Sequence, residues 1–75
     1  MDIEALLRHL EHHYRATLSA TVVAKADYLA LGGEPGAPPH AVERAKARWQ
    51  HLDALKRALE REMAQLEALE HECTT

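Results

Sequence analysis

The chain has 75 residues, 47% of them hydrophobic and 28% charged, and carries a net charge of −3 with histidine neutral. That length allows one domain, near the lower limit for a self-sufficient core. The charge gives no general attraction to nucleic acid or to anionic membrane, and no apolar run approaches the ~20 residues that span a bilayer.

Ala, Leu, Glu, Arg and Lys dominate, with no Phe, one Trp (Trp49) and two Tyr (Tyr14 and Tyr28). This is the composition of long helices and coiled coils. A lone cysteine, Cys73, cannot close a disulfide within the chain. Met1-Asp2-Ile3-Glu4 lacks the basic-then-apolar order of a secretory leader. Together these features favour a reducing, cytoplasmic location.

The first predicted element is a helix over about 2–31. Its apolar residues Ile3, Leu7, Leu10, Tyr14, Leu18, Val22 and Leu29 recur in steps of three, four and seven, with Leu6 alongside, so they define one helical stripe. Its middle, 16–24, is small or β-branched and nearly uncharged, a surface expected to receive the single large ring, Trp49, or, alternatively, to face a second molecule. Glu4–Arg8 and Glu11–Arg15 are spaced as i,i+4 pairs.

Breakers concentrate in Gly32-Gly33-Glu34-Pro35-Gly36-Ala37-Pro38-Pro39. A glycine in the left-handed conformation is expected to end the first helix at Gly32 or Gly33. Pro38 or Pro39, lacking an N–H, is suited to open the second. The loop is therefore placed at 32–38.

The second helix is predicted over about 39–72. Val42, Ala45, Trp49, Leu52, Leu59, Met63 and Leu66 follow an a/d heptad with one lapse, at Lys56. Leu55 and Leu69 lie beside that seam, and Asp53–Arg57 is a further i,i+4 pair. Joining two such helices by a short loop makes them antiparallel neighbours. The expected architecture is all-α: one domain over 1–75, a two-helix hairpin completed as a four-helix bundle by a second copy or by a partner. Counting from the loop centre sets Val22 near Trp49, Tyr14 near Leu59 and Leu7 near Leu66.

Three kinds of side chain are candidates for chemistry. His9 and His13 lie four apart on one face, a spacing used by metal ligands, but no Cys-x-x-Cys or His-Glu-x-x-His accompanies them. Cys73 falls in phase with the d positions of the second helix, beside the anionic Glu70 and Glu72, which do not activate a thiol. Arg44, Lys46, Arg48, Lys56 and Arg57 make the first part of the second helix basic, opposite to the preference of the helix dipole. Such a cluster serves phosphates or the register of a pairing. Ser19, the only serine, sits mid-helix, and no Gly-rich phosphate loop precedes a helix.

In outline, a helix ending in Leu31-Gly32-Gly33 followed by one carrying Trp49-Gln50 and a leucine repeat resembles the helical-hairpin co-chaperones of type III secretion needle subunits. The shape is also similar to plasmid-encoded RNA-binding four-helix dimers. The resemblance is one of shape and transfers no site residue.

The sequence thus points to a small non-enzymatic interaction module without cofactor: an adaptor, co-chaperone or regulator. It would pair with itself or with another helical protein through Tyr14, Leu18, Trp49, Leu52, Leu55 and Leu59. The alternatives are a nucleic-acid-binding helical dimer using Arg44, Lys46, Arg48, Lys56 and Arg57, and a metal sensor using His9 and His13.

Overall fold

The computed structural model describes residues 2–73, without the side chain of Cys73. Two helices, α1 (Ile3–Gly32) and α2 (Pro39–Cys73), pack along one another as a hairpin measuring 60 × 15 × 14 Å. Both lie within a residue or so of the expected bounds.

Local chemistry accounts for the ends. Asp2 caps α1 from an extended conformation, its carboxylate accepting the N–H of Ala5 at 3.2 Å. This satisfies one of the amides that a helix start leaves unpaired. The stop differs from expectation. Gly32 is still helical, and Gly33 closes the helix in the right-handed region (φ −85°, ψ −5°). No described glycine has a positive φ. The Gly33 N–H donates to the carbonyl of Leu29 at 3.1 Å, and the Glu34 N–H to that of Leu31 at 3.2 Å. Two overlapping turns therefore satisfy the last carbonyls without a left-handed residue. Pro39 is the first residue of α2, and the carbonyl of Pro38 accepts the N–H groups of Ala41 and Val42 at 3.0 and 3.3 Å.

One consequence is testable. Gly32 has a negative φ, and a Cβ built there meets nothing within 4 Å. Gly32→Ala should therefore raise hairpin stability by about 0.5–1 kcal/mol, because alanine loses less backbone freedom on folding. A thermal melt followed by circular dichroism reads this as a higher midpoint.

The side chains turned toward the other helix follow a strict alternation of steps of four and three. In α1 they are Ile3, Leu7, Leu10, Tyr14, Thr17, Thr21, Ala24, Tyr28 and Leu31, and every one is buried or half-buried. In α2 the seam runs Val42, Ala45, Trp49, Leu52, Lys56, Leu59, Met63, Leu66 and Glu70, all half-buried. The α2 heptad is as expected, with Lys56 inside it. The α1 stripe is not.

Beyond Tyr14 the expected residues Leu18, Val22 and Leu29 point outward; Val22 and Leu29 are 62% and 60% exposed. Steps of four advance a side chain by roughly 40° around a helix of 3.6 residues per turn. A stripe built from 14, 18 and 22 therefore rotates out of the seam, whereas the heptad of α2 requires its partner to keep a 3.5-residue period. The small residues Thr17, Thr21 and Ala24 keep that period and are the three buried residues among those described. Thr21 satisfies its buried hydroxyl by donating to the carbonyl of Thr17 at 2.7 Å.

The register shifts with the seam. Trp49 stacks on Tyr28 (ring centroids 5.7 Å apart, planes 11° apart) rather than beside Val22 in the small-residue stretch. Lys25 Nζ lies 5.7 Å from the Trp49 ring centroid. Further from the loop, the Tyr14 hydroxyl donates to Glu60 Oε2 at 3.0 Å, close to the expected level of Leu59.

Candidate functional site

Two helices in contact along one line cannot enclose a core. Among the described residues no large side chain is fully buried, and Ala24, at 3% exposure, is the only buried hydrophobic one. The accessible surface is 5737 Å², against about 4,600 Å² for a compact monomer of this mass. Among the described residues seven large apolar side chains stand exposed: Leu6, Leu18, Val22, Val23, Leu29, Leu55 and Leu69. Large apolar side chains left in water are surface that association with another molecule would cover.

The heptad divides these residues between two opposite flanks of the hairpin. The first flank carries Leu18, Val22 and Leu29 on α1, with Lys25 between them. Its α2 side presents Lys46, Asp53 and Glu60. The Lys25–Trp49 contact and the Tyr14–Glu60 hydrogen bond lie on this flank. The second flank carries Leu6 and Val23 on α1, and Leu55 and Leu69 on α2. Near the loop its groove is lined by Asp27, Ala30, Leu31, Glu34 and Ala45.

The six residues expected to bind a partner therefore do not form one patch. Tyr14, Trp49, Leu52 and Leu59 are half-buried in the seam between the helices; Leu18 and Leu55 are exposed on opposite flanks. Sequence reasoning missed Thr17, Thr21, Ala24, Tyr28 and Leu31 as seam residues. The signal that finds them is the unbroken 3.5-residue period shared with α2, not their hydrophobicity.

The basic residues are likewise dispersed. Arg44 and Arg48 belong to the second flank, Lys46 and Arg57 to the first, and Lys56 to the seam. Asp53 holds two of the five, with Oδ2 3.1 Å from Arg57 Nε and Oδ1 3.6 Å from Lys56 Nζ. At Arg57, 69% exposed, such an i,i+4 pair contributes ~0.2–0.5 kcal/mol. Among the described residues Glu4–Arg8 and Glu11–Arg15 do not close as ion pairs.

His9 and His13 meet edge to face with ring centroids 4.7 Å apart, and His12 approaches His13 at 6.4 Å. Among the described residues no group of three or more His, Cys, Asp or Glu side chains comes together to hold a metal ion. The side chain of Cys73, expected in phase with the α2 seam, lies outside the described residues. No described helix is long and apolar enough to cross a membrane.

Tyr14 has an altered acidity. Its hydrogen bond to Glu60 stabilises the neutral phenol, partial desolvation and the carboxylate charge add to this, and its pKa is raised above 10.0. The folded chain holds this proton more tightly than the unfolded chain does. The associated stability is thus present below the ordinary phenol range and is lost as pH rises through the raised value. Glu60→Gln removes the charged acceptor and should bring the Tyr14 titration back down, as read from tyrosinate absorbance with Tyr28→Phe as background.

The sequence matches no protein-family model, and neither the curated proteins nor the solved structures show a significant similarity to it.

Proposed function

We propose that the protein is a non-enzymatic protein–protein interaction module, a helical hairpin that works by association through its apolar helix faces as an adaptor, co-chaperone or regulator. The observation that carries the reading is the mismatch between apolar side chains and enclosed space. Seven large hydrophobic residues remain exposed on a chain with no fully buried large side chain among those described. Helical surfaces of this kind are covered by another helix pair or by a partner helix in a groove.

The dispersion of basic residues over two flanks and a seam favours association over phosphate binding, which draws on a continuous basic stripe. Association also gives the basic start of α2 a role in selecting a partner and its register.

Light scattering coupled to size exclusion tests the proposal. The expected result is a particle heavier than the 8.4 kDa chain, with a melting temperature that rises with protein concentration. A monomer that melts sharply at a concentration-independent temperature, with no gain on adding extract from the native host, would end it.

A further inference from the structure

We infer that the occupant of the second flank is a second copy of this chain, related by a two-fold axis along the hairpin, so that the two loops lie side by side. The inference rests on the association proposed above and specifies its face and symmetry.

The arrangement follows from which residues share a level. With Tyr28 beside Trp49 and Tyr14 beside Glu60, the antiparallel register places four pairs opposite one another on the second flank. From the open end to the loop these are Leu6 with Leu69, His13 with Glu62, Ala20 with Leu55, and Asp27 with Arg48. These four levels are matched in character: two apolar pairs, a histidine with a glutamate, and an aspartate with an arginine. A two-fold axis along the hairpin keeps each residue at its level while laying α1 of one copy on α2 of the other. Leu6 then meets Leu69 of the second copy, Ala20 and Val23 meet Leu55, and Asp27 meets Arg48.

Asp27, Arg48 and Glu62 make no ion pair within the chain among the described residues, so these charges are available. The size also fits. A 60 by 15 Å face presents on the order of 900 Å², and each partner of a standard complex buries about 800 Å².

Two competing arrangements fit less well. On the first flank, the same operation would set Leu18 and Val22 against Asp53, Arg57 and Glu60, leaving apolar surface facing charge. A two-fold axis lying in the interface but perpendicular to the hairpin would lay α1 on α1 and α2 on α2, pairing Asp27 with His13 and Arg48 with Glu62, so what counts against it is the apolar match. It would carry Leu6 to the level of the loop, away from Leu69.

Charge reversal separates these cases. Asp27→Arg and Arg48→Asp should each raise the dimer Kd about tenfold or more, through like charges set opposite one another twice per dimer. An equimolar mixture of the two variants should restore association to near wild type, because each then supplies what the other lacks. Circular dichroism confirms that each variant remains helical; a variant that loses its helicity is replaced by the neutral Asp27→Asn or Arg48→Gln, which should weaken the dimer less. A second measurement uses spin labels on Gly36→Cys in a Cys73→Ser background. The labels should lie well under half of the 60 Å molecular length apart.

Mixing that restores nothing, or labels near the full length apart, overturns the parallel arrangement. A dimer indifferent to both charge variants but dissociated by Val22→Lys overturns the assigned flank, while leaving the interaction module standing. A wild-type chain that remains 8.4 kDa at every concentration overturns the dimer, and leaves the interaction module to stand or fall on a different protein.

Discussion

Replacing Trp49 with alanine is expected to lower the unfolding free energy of the hairpin by about 2–3 kcal/mol. The full cost of truncating a buried tryptophan, ~3–5 kcal/mol, does not apply, because Trp49 is half-buried. What is lost is specific. The ring lies nearly parallel to Tyr28, with planes 11° apart, and such stacking contributes ~0.5–1.5 kcal/mol beyond area alone. Lys25 covers the same ring at 5.7 Å from its centroid, adding an exposed cation–π contact of ~0.5–1 kcal/mol.

The seam positions on either side of the stacked pair are the small Ala24 and Ala45, with Leu52 beyond the one and Leu31 and Val42 beyond the other. Urea unfolding followed by circular dichroism measures the loss, with association held constant by dilution. Trp49→Phe should recover much of it, because a phenyl ring still stacks on Tyr28. A loss as small for Trp49→Ala as for an exposed α2 residue such as Gln50 would mean that the ring is not packed in the seam.

The second large effect concerns the tightest point of the molecule. Ala24→Leu should destabilise the hairpin by about 1–3 kcal/mol although it adds hydrophobic surface. At 3% exposure the Ala24 methyl already fills its place between the helices, and three further carbons must push them apart. The neighbour two residues away should behave in the opposite manner. Val22 is 62% exposed, so Val22→Ala should change hairpin stability by no more than ~0.5 kcal/mol. The pair discriminates between the two possible stripes of α1. If the seam followed Leu18, Val22 and Leu29, the ranking would invert, with Val22→Ala costly and Ala24→Leu neutral. Denaturation midpoints of the two variants, measured at low concentration, decide it.

That choice between stripes also shows where reading the sequence stops. The hairpin was legible from Gly32–Pro39, the only run of breakers, and from two flanking segments without Gly or Pro. The face of α2 was legible because its heptad is marked by large residues: Trp49, Leu52, Leu59, Met63 and Leu66. In α1 two faces share Ile3, Leu7, Leu10 and Tyr14 and then diverge. Hydrophobicity alone selects Leu18, Val22 and Leu29, the more apolar branch. The candidate site suffered most from this ambiguity, since Leu18 was grouped with residues that the fold places in the seam.

By itself the sequence determined the class, the two helix spans, the loop, the Asp53–Arg57 pair and the surplus of apolar side chains. All of these are set by interactions within a few residues along the chain. Only the tertiary structure decided that Thr17, Thr21 and Ala24 face α2, that Trp49 stacks on Tyr28, and that the exposed leucines and valines divide between two opposite flanks. A helix has no preferred face until something packs against it. The face of α1 is chosen by the 3.5-residue period of α2 and by how closely small side chains let the two backbones approach, and neither quantity belongs to α1 alone.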